Sequence, residues 1–103
     1  MNPVWHRYVD FVSEFGAGIR HIEFIVEKTT PKGLWLVPVT ELGKRRFILT
    51  NARKKFAHPT ESEAIESFIA RKSRKIDILR ARVEHTQKAR RIAELMRSEL
   101  SNQ

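Results

Sequence analysis

The sequence predicts an α+β fold: an N-terminal helix, a three-stranded antiparallel meander and a long C-terminal helix. Three observations carry this reading. Apolar residues recur at helical spacing from Val4 to Phe15; the hydrophobic period changes to two from Ile19; and a capped tract without glycine or proline runs from Thr60 to Gln103. The chain reads as a single domain over 1–103, with helix and meander in 1–59 and a long basic amphipathic helix in 60–103.

Asn2 followed by Pro3 has the form of an N-cap with proline at the first helical position, and Gly16 is placed to stop the helix. Between them Val4, Tyr8, Phe11 and Phe15 form a stripe that Trp5, Val9 and Val12 widen. Beyond Ile19, Ile22, Phe24 and Val26 alternate with His21, Glu23 and Glu27, the pattern of a strand with one buried face. Thr29 to Gly33 supplies a turn through Pro31 and Gly33. A second strand spans Leu34 to Val39. Pro38 cannot donate to a ladder, so this strand is expected to lie at an edge or to end there. A turn over Glu41 to Arg46, centred on Gly43, leads to a third strand from Phe47 to Thr50. Such a meander needs a covering element.

Pro59 and Thr60 open the clearest helix: Thr60 as N-cap and Glu63 three residues on form a capping box, and Glu61, Glu63 and Glu66 put negative charge at the positive end of the dipole. These acids read as capping charge rather than metal ligands. At 1.5 Å per residue the tract is on the order of 60 Å long. On a helical wheel Ile65, Phe68, Ile69, Ile76, Leu79 and Val83 share one face, expected to cover the core, and Arg71, Arg74, Lys75 and Arg82 occupy the opposite side. Past Val83 the apolar set becomes Ala89, Ile92, Ala93, Met96 and Leu100, turned roughly 140° from the first. Either the helix breaks or kinks near 84–88 and folds back, or its distal half packs on a second protomer. The absence of Gly and Pro from His85-Thr86-Gln87-Lys88 favours a homodimer through Ala89, Ile92, Met96 and Leu100.

Size and composition bound the function. At 103 residues there is room for one modest core. The absence of cysteine excludes disulfides, thiolate nucleophiles and cysteine zinc sites, and fits a reducing compartment. Asp10 and Glu14 interrupt any signal-peptide pattern, and no apolar run is long enough to span a bilayer, so a soluble cytoplasmic protein without membrane partners is expected. The charge is strongly asymmetric: Lys44 to Arg91 holds 15 of the 20 Lys and Arg residues against 5 acids. A block of that sign attracts polyanions.

No catalytic constellation stands out. His6, His21, His58 and His85 fall in different predicted elements with no H-x-x-x-H spacing. His6 and Asp10, at i and i+4 on the predicted first helix, suit a stabilising pair better than a catalytic dyad. The serines lack a G-x-S-x-G elbow and the glycines form no phosphate loop. The chain is expected to be no enzyme and to need no cofactor or metal.

The basic residues are the candidate contact residues: Lys44, Arg45 and Arg46 before the third strand, Arg53, Lys54 and Lys55 after it, and Arg71, Arg74, Lys75 and Arg82 on the helix. Trp35, Phe47 and Phe56 are interleaved with them, as in single-strand nucleic-acid grooves. At period two, however, Phe47 is expected to face the core, and Trp35 is a candidate for the same face as well as for a partner anchor. An acidic protein or nucleoprotein surface attracts the same charges as DNA or RNA.

The stretch from Lys44-Arg45-Arg46-Phe47-Ile48-Leu49 through Ala52-Arg53-Lys54-Lys55-Phe56-Ala57-His58-Pro59-Thr60 and Glu63-Ala64-Ile65-Glu66-Ser67-Phe68-Ile69-Ala70-Arg71-Lys72 to Leu79, preceded by Gly33-Leu34-Trp35, resembles small uncharacterised proteins of bacteriophages and prophages. The resemblance covers roughly Gly33 to Leu79 and includes no catalytic motif. It implies a phage-encoded accessory factor acting in the host cytoplasm against a host defence system. Together with the basic face, the expected function is a non-enzymatic binding protein that inhibits a host protein or nucleoprotein complex by occlusion, as an anti-CRISPR or other anti-defence factor. A DNA- or RNA-binding regulatory or protective protein is the first alternative, and a structural assembly component of the phage the second.

Overall fold

A computed structural model describes residues 3–40 and 44–102. Four antiparallel strands in the order of the sequence, β1 (Val4–Ser13), β2 (Gly16–Thr29), β3 (Gly33–Pro38) and β4 (Arg46–Leu49), form one curled sheet, and a single helix, α1 (Glu61–Ser101), follows. The α+β class and the long C-terminal helix hold. The N-terminal helix does not, and among the described residues the strands number four rather than three. The N-cap reading of Asn2 and the turn centre at Gly43 lie outside the described residues.

The first correction has a clear local cause. Six of the ten residues of β1 are Val, Trp, Tyr or Phe, side chains that suit a pleated surface. Apolar residues stand on both faces, Trp5, Val9 and Phe11 on one and Val4, Tyr8 and Val12 on the other. Together they imitate a helical stripe. A hairpin then joins β1 to β2, with Ser13 opposite Gly16. Gly16, read as a helix stop, instead takes the positive φ (111°) that the turn demands. Ser13 Oγ accepts a hydrogen bond from Phe15 N at 3.2 Å and steadies the turn.

The later β elements fall where the alternation puts them. The turn after β2 closes with Thr30 N donating to Gly33 O at 2.8 Å and Gly33 N donating to Thr30 Oγ1 at 3.1 Å. A Cβ at Gly33 would overlap the carbonyl oxygen of Ile48, so glycine is required by the close approach of β4. β3 ends at Pro38 as expected. A register shift between Val26 and Lys28 leaves Glu27 as an extra residue in β2.

One face of the sheet carries the core, made by Phe24, Leu36 and Ile48 from three successive strands and by Ala57. Leu36 and Ala57 are 0 % exposed. The cover over this face is the segment between β4 and α1, not the helix. Phe56 meets Phe24 edge-on at 5.5 Å between centroids, and His58 pairs in both directions with His6 of β1 (N to O 2.7 and 2.9 Å). Two arginines fasten the cover: the Arg7 and Arg46 guanidiniums lie 4.2 and 4.3 Å from the Phe56 ring centroid, and Arg7 Nη1 donates to Phe56 O at 2.7 Å.

The N-cap half of the expected capping box is present, with Glu63 N donating to Thr60 Oγ1 at 3.1 Å, while the Glu63 carboxylate lies 4.0 Å from His58 Nδ1. The chain divides into two compact units, the sheet with α1 through Ile69, and α1 from Ala70 onward. In the first, Ala64 is the buried helical residue and Phe68 is half-buried, whereas Ile65 and Ile69 are 42 % and 50 % exposed. In the second, every described residue from Ser73 on is exposed, including Ile76, Leu79 and Val83. Of the expected core-facing stripe Phe68 is half-buried, whereas Ile65, Ile69, Ile76, Leu79 and Val83 are exposed; in the sheet unit it is Ala57, with Phe56 beside it, that packs in the core. The helix runs unbroken through 84–88, with Thr86 Oγ1 donating to Arg82 O at 2.8 Å, so the break-and-fold-back alternative does not hold. No helix among the described residues is both long and apolar enough to cross a membrane.

Candidate binding surface

Strand alternation decides which basic and aromatic residues are presented together. Leu34 stands opposite Ile48 and Leu36 opposite Arg46, all on the core side; Trp35 stands opposite Phe47 on the other side. Phe47 therefore faces outward, against expectation, because Ile48 takes the core position one residue on. So does Trp35. Their rings are in contact at 5.0 Å between centroids, inclined by 50°.

Arg45 shares that outer face, and its guanidinium lies 4.8 Å from the centroid of the indole of Trp35. Its Nε is 3.1 Å from Glu27 Oε2, the carboxylate of the bulge residue. Each contact contributes only about 0.5–1 kcal/mol at an exposed site, so their effect is to hold the guanidinium over the ring. Beside the pair, Thr30, Pro31 and Lys32 complete an open apolar depression whose floor is Trp35 and Phe47.

The remaining predicted contact residues divide by environment. Arg46 points to the core side and is engaged with Phe56, so the Lys44-Arg45-Arg46 run is split between faces. Lys44, Arg53 and Lys54 are exposed and Lys55 is half-buried. Arg71 (half-buried), Arg74, Lys75 and Arg82 (exposed) belong to the second unit, as do the exposed Ala89, Ile92, Met96 and Leu100. Reversal of the apolar stripe midway leaves α1 as a whole without one apolar face.

A second cluster lies on the outer face of β1 and β2 and was not legible from residue spacing. His6 Nδ1 and His21 Nε2 are 2.9 Å apart in a part-buried hydrogen bond, replacing the expected pairing of His6 with Asp10, which on a strand stands about 13 Å along. Tyr8 stacks on His21 at 4.6 Å and His6 on His21 at 5.1 Å. Glu61, from the first turn of α1, adds a carboxylate to the two imidazoles. The Tyr8 phenol is pushed above its ordinary value of 10.0, by burial first and then by the charges of Glu61 and Glu23. The hairpin register brings these residues together; no motif announces them.

No protein-family model matches the chain, and no curated protein or solved structure matches it.

Proposed function

We propose that the chain is a non-enzymatic binding protein that engages an acidic protein or nucleoprotein surface through Trp35, Phe47 and Arg45. In this reading it is a phage-encoded inhibitor of a host system, an anti-CRISPR or other anti-defence factor, and acts by occlusion. The observation that carries the binding reading is the outward aromatic pair with a guanidinium held over its indole beside an apolar depression. Trp and Arg are the residues that most often dominate interface energetics, and a ring pair at the floor of a depression suits an inserted side chain. Lys32 lines the depression, and the exposed Lys44, Arg53 and Lys54 add positive charge to the sheet unit that steers an acidic partner.

The same platform favours a second reading, in which bases stack on Trp35 and Phe47 while cations follow the phosphates. Copurification from nuclease-treated and untreated host lysate separates the two. A protein target is retained after nuclease treatment and lost on Trp35→Ala with Arg45→Glu; a nucleic-acid target disappears with nuclease, and its affinity falls steeply with salt. Retention of the same partners by the double variant would sink the proposed surface. The exposed stripe of Ala89, Ile92, Met96 and Leu100 is assigned to self-association through α1.

A further inference from the structure

We propose that His6, His21 and Glu61 form a binding site for a divalent first-row transition-metal ion, with Zn2+ as the ion to test. Each residue offers one ligand atom, and these atoms lie within 4.8 Å of one another. Two imidazoles and a carboxylate are a nitrogen-rich set that suits zinc and its neighbours, not the all-oxygen shells of Ca2+ or Mg2+. Three protein ligands leave a coordination position for water.

The fold prepares this set from both sides. β1 and β2 place His6 opposite Glu23 and Tyr8 opposite His21, so the two histidines are diagonal neighbours on one face. Stacking of Tyr8 on His21 with 11° between the ring planes, and of His21 on His6 with 29°, restrains the two imidazoles. Glu61 is delivered by a different device: the two-way pairing of His58 with His6 pins the chain three residues before it, and the Thr60 cap fixes the first helical turn.

The geometry needs modest adjustment. Nitrogens 2.9 Å apart subtend about 90° at an ion with 2.0–2.1 Å bonds, and opening to about 3.3 Å gives a tetrahedral angle. The exposed Glu61 side chain closes by about 1–1.5 Å, within the range of a rotamer change on the first turn. One ring nitrogen now donates its proton to the other. On metal binding that proton transfers through solvent to the far nitrogen of the same ring, which frees both facing nitrogens as ligands. The ion would tie the β1–β2 hairpin to the start of α1.

The test is a calorimetric titration of the chelator-treated full chain with Zn2+, accompanied by thermal unfolding. One equivalent should bind and raise the unfolding temperature. His6→Ala, His21→Ala and Glu61→Gln should each weaken binding at least tenfold, while His85→Ala leaves it unchanged. Histidine ring proton resonances of the wild-type chain provide a readout that needs no substitution: Zn2+ should shift those of His6 and His21 and leave that of His85 in place. No saturable one-to-one binding, a shift confined to His85, or full binding by a folded His6→Ala, His21→Ala variant would overturn the site.

Discussion

The sheet and the distal helix of this chain are held by different physics. In the sheet unit Phe24, Leu36, Ile48 and Ala57 are removed from water by an element that two arginines fasten in place. From Ser73 onward α1 buries nothing and still carries Ile76, Leu79, Val83, Ile92, Leu95, Met96 and Leu100. Tertiary burial supports the first. The second rests on helix propensity, on pairs such as Arg90 with Glu94 at 3.6 Å, and on whatever covers its apolar residues. A cooperative core and a locally stabilised helix should answer mutation differently.

The largest expected effect is in the core. Leu36→Ala should cost about 2–5 kcal/mol in denaturant unfolding followed by circular dichroism, the range for a fully buried leucine. A loss below about 1 kcal/mol would place the core elsewhere. Phe56→Ala should cost about 2–3 kcal/mol, since the ring is only half-buried, and a double-mutant cycle with Arg7→Ala should return a coupling of about 0.5–1.5 kcal/mol. Additive costs would mean that the arginine does not fasten the cover.

The helix is expected to respond weakly and locally. Ala81→Gly should cost about 1 kcal/mol, visible as faster amide exchange around residue 81 with the sheet amides unchanged. Equal loosening of the sheet would break the contrast between the regions. Ile92→Glu with Met96→Glu should abolish self-association in light scattering and leave the sheet's unfolding midpoint unaltered. A wild-type mass already equal to that of the monomer would remove the dimer.

The smallest effect concerns Tyr8, the one tyrosine of the chain, whose phenolate absorbance is thus unambiguous. Its folded pKa is raised by burial and by Glu61 and Glu23, so the neutral form is favoured in the folded state. The associated stability is complete below the unfolded value of about 10 and is lost as pH rises through the folded value. Glu61→Gln, in metal-free protein, should move the midpoint back towards 10; an unchanged midpoint would separate Glu61 from the cluster.

Much of this molecule was legible where a local rule has no competitor. Thr60 with Glu63, the Thr29–Gly33 turn and the ending of β3 at Pro38 each follow from one residue's backbone chemistry. Val4 to Phe15 satisfies the helical and the strand period at once, and β-propensity is the signal that separates them. Phe47 was placed on the wrong face because a four-residue strand flips all its side chains on a shift of one. The histidine cluster had no sequence signature, since its members come from two strands and a helix.

The sequence by itself determined the class, the helix start, the turn after β2 and the asymmetric charge, because caps, turns and net charge depend on neighbours along the chain. Only the tertiary structure decided that Val4–Ser13 is a strand, that Phe56 rather than α1 covers the core, and which side of the sheet Arg45, Trp35 and Phe47 share. Those outcomes depend on which surfaces are buried first against partners distant in the sequence, and that competition is settled by packing.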